Sequence, residues 1–185
     1  MIRAILAGSK TQTRRVVKDT GLYAIDAAIH GAETAARELQ ALASRCPYGK
    51  PGDRLWVRET CRADASQTGP FGVTYMADAA FRPIGSGQHQ KWADLHTYGG
   101  VFGKQVPSIH MPRWASRITL EVTGIRVERV ASISESDAIA EGIDVTDGEQ
   151  PSVTFARLWD SINGQRAPWQ SNPWVWVVAF RLASS

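Results

Sequence analysis

The chain has 185 residues, of which 43% are hydrophobic and 21% charged. That balance suits a globular domain able to bury its own core, and it excludes collagen, disorder throughout and a repeat array. Lysine and arginine number 21 against 18 aspartate and glutamate, a net charge of +3 that tilts only mildly towards anionic partners. The longest apolar run, residues 174–180, falls far short of the ~20 residues a spanning helix needs, so no membrane partner is expected. Ile2–Gly8 runs straight into the charged Lys10–Arg15 and is too short for a signal peptide. Cys46 and Cys61 have no CxxC spacing and no histidine at metal spacing, which points to two reduced thiols in a cytoplasmic protein, with a disulfide between them left open. No metal and no cofactor is expected. Seven tryptophans call for an explanation.

In chain order, Ile2–Ala7 is expected as a short helix capped by Gly8, followed by a basic segment and a strand at Val16 and Val17. Leu22, Ile25, Ile29, Ala32, Ala36, Leu39 and Ala43 recur every three or four residues, which predicts a surface helix over 21–45 with a thin apolar face. Tyr48–Asp53 is turn chemistry launching a strand over Arg54–Thr60, with Leu55, Val57 and Glu59 on one face. Gly72–Ala77 is a further strand, and 78–108 reads as a long loop or lid. Arg117–Val130 alternates as a strand pair or one bent strand, broken at Gly124. Ser132–Glu141 reads as a helix with a capping box from Ser132 and Glu135 and a stop at Gly142. Ser152–Ile162 is a helix started by Pro151, with Phe155, Leu158, Trp159 and Ile162 on one face. Pro173–Leu182 is apolar on both faces, the mark of a central strand. Without βαβ alternation, the order fits an α+β protein built on a small mixed β-barrel with peripheral helices.

Four groups of residues could carry chemistry. In Gly8–Arg15, a threonine hydroxyl becomes a nucleophile once a base takes its proton, and Lys10 could be that base if Arg14 and Arg15 lower its pKa. Taken alone, the segment reads as a solvated basic stretch ending a helix. Glu141 ends a helix, where the dipole raises a carboxyl pKa and prepares a proton donor; alone it reads as an exposed helix-end glutamate. Glu59 faces inward beside Trp56 and Arg58 and needs a cationic partner, which an early arginine could supply in a structural ion pair or a site. Ser108–Trp114 places His110 and Trp114 where a base could stack, although His110 reads more simply as a structural histidine. There is no G-x-S-x-G elbow, Walker A sequence or G-x-G-x-x-G. Periodicity assigns Trp159, Trp174 and Trp176 to the core; Trp56, Trp114 and Trp92 are the ones expected near a base-binding pocket, and Trp169 is unassigned.

Gly8, Lys10, Thr13 and Arg15 resemble the G-x-K-x-x-T-x-R signature of the ASCH domain family. Cys46–Gly49, Gly52–Glu59, Ile109–Arg117, Ala138–Ile143, Leu158–Asn163 and Asn172–Phe180 are similar to its phage and prophage branch. The resemblance implies one PUA-like domain over 1–185, a small mixed β-barrel with flanking helices and a cleft, carrying variable insertions at about 19–45 and 62–106. It implies a nucleoside or nucleic-acid partner, RNA rather than DNA. One bacterial branch with this signature hydrolyses N4-acetylcytidine through a lysine, a threonine and a glutamate. Carried over, Lys10 is the base, Thr13 the nucleophile and Glu141 the acid, with Arg15, Trp56, Glu59, His110 and Trp114 as substrate-binding residues. A non-catalytic RNA or modified-DNA binding module, or a ribonuclease, is the alternative. The chain departs from the family in lacking a strand ahead of its first helix, which implies an upstream start or a barrel short of one strand, and in its length.

Overall fold

The computed structural model describes residues 1–18, 31–65, 70–85, 87–144 and 148–183. In chain order it contains α1 (Ile2–Leu6), β1 (Gln12–Val16), α2 (Ala32–Ala43), β2 (Arg54–Trp56), β3 (Cys61–Ala65), β4 (Phe71–Tyr75), β5 (Phe81–Pro83), α3 (His89–His96), β6 (Thr119–Arg129), α4 (Glu135–Ala140), α5 (Pro151–Asn163) and β7 (Trp174–Leu182). The class is α+β. The chain forms two compact units, one of residues 3–55 and 120–185 with Met1, the other of residues 56–119 with Ile2. Among the described residues no helix is long and apolar enough to cross a membrane.

The first unit is built on a curled antiparallel sheet in the order β1-β7-β6-β2. The strand apolar on both faces occupies the interior, as its composition requires. On one face Val175 and Val177 join Val130, Ala138, Phe155 and Trp159 in a core under α4 and α5. On the other, Trp176 and Val178 join Val122, Val127 and Ala43 of α2 in a second core. Of the two expectations over 117–130, a strand pair or one bent strand, the structure has the second: β6, bulged between Val122 and Gly124 where its register against β7 shifts. Only the second half of the helix expected over 21–45 lies within the described residues, as α2; residues 19–30 lie outside them.

Two local expectations are corrected. α4 does not begin at Ser132. Its N-cap is Ser134, whose hydroxyl accepts from the Asp137 amide at 3.1 Å, and the Glu135 carboxylate turns away to accept from the backbone amide and hydroxyl of Ser152 at the start of α5. A tertiary contact to the next helix has displaced the local capping box. In α5, Phe155 and Trp159 are buried, whereas Leu158 and Ile162 are 42% and 71% exposed, so the four do not share one buried face.

The second unit carries the three-stranded sheet β3-β4-β5, covered by α3. The long loop expected over 78–108 contains β5, α3 and a short 3₁₀ turn at Tyr98–Gly100. Its order comes from two anchors, Trp92 and Leu95, which share one side of α3 and are buried against Val73, Tyr75, Cys61 and Val106. Trp92 also donates its indole N–H to the Gly72 carbonyl at 2.9 Å, so it belongs to a core and not to a pocket wall. Gly72 lacks the Cβ that would collide with the Phe81 ring of β5. Cys46 and Cys61 are free thiols, each in a different core. Replacing Ser134 by Ala is expected to cost about 1 kcal/mol of unfolding free energy, whereas Ser132→Ala should cost a few tenths at most; paired urea denaturation curves check this.

Candidate functional site

The backbone assembles the site before any side chain meets another. Gly8 adopts φ +74°, which turns the chain from α1 into β1. The Lys10 amide then donates to the Ala4 carbonyl at 3.0 Å, and the Thr11 amide to the Ala140 carbonyl at 2.8 Å. Lys10 and Glu141 thereby form an antiparallel bridge between the β1 approach and the end of α4. Gly142 follows at φ +87°, and a Cβ there would lie 3.1 Å from Lys10 Cβ and 3.3 Å from Ala4 Cβ. The glycine read in the sequence as a helix stop is also what lets α1, β1 and α4 close together.

On this frame Lys10 Nζ donates to Glu141 Oε2 at 2.7 Å and to the Glu141 carbonyl at 2.6 Å. Arg14 Nη1 donates to Glu141 Oε1 at 3.2 Å. All three side chains are buried, at 8%, 5% and 0% exposure for Lys10, Glu141 and Arg14. Burial pushes the Lys10 amine below its ordinary value, with Arg15 and Arg14 adding to the effect, while the Glu141 carboxylate pulls the other way without overcoming it. Thr13 takes a different partner: Arg15 Nη1 donates to its hydroxyl at 2.7 Å and to the Arg14 carbonyl at 2.9 Å. The bond engages the Thr13 oxygen as an acceptor.

A cavity of about 460 Å³ opens over these groups. Its polar wall is Lys10, Thr13, Arg14, Arg15, Glu141 and Asn163, and its apolar wall includes Ala4, Val16, Phe155, Leu158, Trp159 and Ile162. The outward turn of Leu158 and Ile162 gives α5 an apolar face towards this space. A wall of charged donors and acceptors opposite a wall of hydrocarbon suits a flat, partly polar ligand.

The remaining candidates do not line this cavity. Trp56, Glu59, His110 and Trp114 belong to the second unit, where each has its own partner. The Glu59 carboxylate is 1% exposed and takes a two-pronged pair from Arg117, at 2.9 and 2.8 Å. Arg117 continues to Asp78 and lies 4.0 Å from the Tyr75 ring centroid. The cation Glu59 needs thus comes from residue 117 and not from an early arginine. Arg58 stacks on Trp56 at 4.7 Å, the His110 ring lies 5.5 Å from Tyr98, and Trp114 packs against the second unit's core. Trp169, unassigned by periodicity, packs edge-on against Phe155 at 6.1 Å.

Sequence reasoning missed the outer half of the ion network. Arg14 Nη2 donates to Glu128 Oε1 at 2.6 Å and Asp137 Oδ2 at 3.1 Å, Gln12 Nε2 donates to Asp137 Oδ1 at 3.0 Å, and Arg126 ties Glu128 to Asp137. Alternation did carry a signal, because Gln12 and Arg14 sit at even positions of β1, on one side of the strand, and Arg126 and Glu128 alternate likewise on β6, the other neighbour of β7. Among the described residues no cluster of histidine, cysteine, aspartate and glutamate could hold a metal ion. Compared with protein-family models, curated proteins and solved structures, the chain matches none of them.

Removing one member of a buried ion cluster strands the others. Glu141→Ala should lower the unfolding free energy by about 3–5 kcal/mol, measured by chemical denaturation. Lys10 should also leave a mark on the pH dependence of stability. Its amine is held below 10.5 in the folded chain, so its contribution is present above 10.5 and is lost as pH falls through the lowered value. Stability should therefore rise with pH across that window, and the rise should be smaller in Lys10→Met.

Proposed function

We propose that this chain is an ASCH-like, PUA-like protein that hydrolyses the acyl amide of an N4-acylated cytidine. The observation that carries the reading is the convergence of Lys10, Thr13 and Glu141 on one half-apolar cavity, although Glu141 lies 131 residues from Lys10. In this reading the pyrimidine lies against the apolar wall of α5 and the acyl carbonyl faces Thr13. The short Lys10–Glu141 contact lets one proton pass from ammonium to carboxylate once substrate excludes water, leaving an amine and a carboxylic acid. Lys10 Nζ takes the Thr13 proton as Oγ adds to the acyl carbon, and Arg15, already donating to that oxygen, fixes its position. Glu141 then returns a proton to the exocyclic nitrogen as the C–N bond breaks and cytidine leaves. Lys10 then passes its proton to Glu141 again, takes one from water as that water adds to the acyl carbon, and Glu141 returns a proton to Thr13 Oγ as the acyl–oxygen bond breaks and the acid leaves, which restores the starting ammonium and carboxylate.

One observation favours a second reading. Lys10 spends two hydrogen bonds on Glu141, whereas the Thr13 hydroxyl accepts from Arg15, so base and nucleophile are not paired to each other. Such a pocket suits recognition of a modified base, free or in RNA, without turnover. The two readings separate in one assay. Incubation with N4-acetylcytidine should release cytidine and acetate, and Thr13→Val, which removes the hydroxyl at a half-buried strand position, should lower the rate by roughly 10²–10⁴ while leaving the melting curve in place. Wild-type protein that binds N4-acetylcytidine in calorimetry but leaves it intact over hours would sink the hydrolase reading in favour of recognition.

A further inference from the structure

Arg14 lies outside the four signature positions, yet it is the most deeply held cation of the site. Its side chain is 0% exposed, and its guanidinium reaches three carboxylates on two elements, Glu128 of β6, Asp137 of α4 and Glu141 at the α4 end. Phe155 of α5 closes the remaining side, 5.7 Å away. Burying a guanidinium costs several kcal/mol unless its charge is well matched. Arg14 meets that demand through its two terminal nitrogens, Nη2 to Glu128 and Asp137 and Nη1 to Glu141, while its buried Nε has no hydrogen-bond partner among the described residues, so one of its prongs is committed to Glu141.

Glu141 splits its two oxygens, Oε1 to Arg14 and Oε2 to Lys10. A carboxylate held by a single ammonium is free to swivel about its last torsion and offer either oxygen. With Oε1 occupied, the carboxylate plane is fixed and Oε2 alone faces Lys10. Arg14 is itself held from behind, because Arg126 and Gln12 anchor Asp137, and Arg126 also anchors Glu128. Charges thus alternate from the cavity outward: Lys10, Glu141, Arg14, the Glu128–Asp137 pair, and then Arg126, which is 43% exposed. We infer that Arg14 is a positioning residue, fixing Glu141 by one carboxylate oxygen so that the other serves Lys10, and tying that pair to a rigid network outside the cavity.

The inference deepens the hydrolase reading and rests on it only for its kinetic arm. In that arm Arg14→Gln should lower kcat on N4-acetylcytidine roughly 10²-fold with KM little changed, since the residue acts through Glu141 and not on the ligand. Arg14→Lys should recover only part of the rate, because an ammonium cannot span three carboxylates as a fork. The second arm needs no activity. In the full-length chain labelled with ¹⁵N-lysine, the Lys10 ammonium should give a slowly exchanging signal, assigned by its loss in Lys10→Met. That signal should shift and broaden in Arg14→Gln. If Arg14→Gln does not fold, Glu128→Gln, which loosens Arg14 from behind, should produce the same change in weaker form. A folded Arg14→Gln, or in its place a folded Glu128→Gln, with the wild-type Lys10 signal would overturn the inference. Wild-type protein inactive on N4-acetylcytidine, together with a shifted Lys10 signal in Arg14→Gln, removes the hydrolase reading and supports the positioning role.

Discussion

One buried carboxylate shared between two buried cations organises this protein. Three charges taken out of water are costly, and they are tolerated only where each is met by geometry that holds. Glu141 meets that condition by giving one oxygen to Lys10 and the other to Arg14. The condition propagates outward. Lys10 and Glu141 must run side by side as backbone, which requires the turn at Gly8 and the missing side chain at Gly142. Arg14 must be matched from behind, which recruits Glu128 from the strand two places across the sheet.

The hydrophobic frame serves this cluster. β7 is apolar on both faces because it separates two cores, and it sets the register that places Arg14 opposite Val177 and Val177 opposite Arg126. That register aligns the cations of β1 and β6 on the face that α4 and α5 cover. α5 completes the site with two adjacent stripes: Phe155 and Trp159 are buried in the core and also reach the cavity wall, and the more exposed Leu158 and Ile162 extend that wall. The division of labour follows from helical geometry, since residues three and four apart lie on neighbouring lines and one helix can serve two surfaces.

The second unit follows a separate logic. Its sheet is short, and aromatic contacts running from Phe71 through Trp92 and His96 to Phe102 take the place of long strands. Glu59 and Arg117 form its own buried ion pair, closed over the Tyr75 ring. The alternation read over 54–60 marked Glu59 as inward-facing although β2 itself ends at Trp56, but it held no sign of the partner 58 residues away. Likewise the glycine-rich stretch 78–108 reads as loop because glycine weakens every local signal, and its order depends on Trp92 and Leu95 finding partners in other strands.

By itself the sequence determined the elements whose signal is local or periodic. The two-faced strand at 174–182, the bend at Gly124, the helix started by Pro151 and the stop at Gly142 all follow from side-chain period and backbone freedom. Of the candidate site residues named from the sequence, Lys10, Thr13, Arg15 and Glu141 line one cavity and Trp56, Glu59, His110 and Trp114 do not. Tertiary structure alone decided how their bonds are shared. It gave Lys10 to Glu141 and Thr13 to Arg15, drew Glu135 away from its own helix cap to Ser152, and assembled Arg14, Glu128 and Asp137 around one guanidinium. The physical reason is that a hydrogen bond or ion pair goes to whichever partner the folded backbone brings within about 3 Å. Separation along the chain carries no record of that choice.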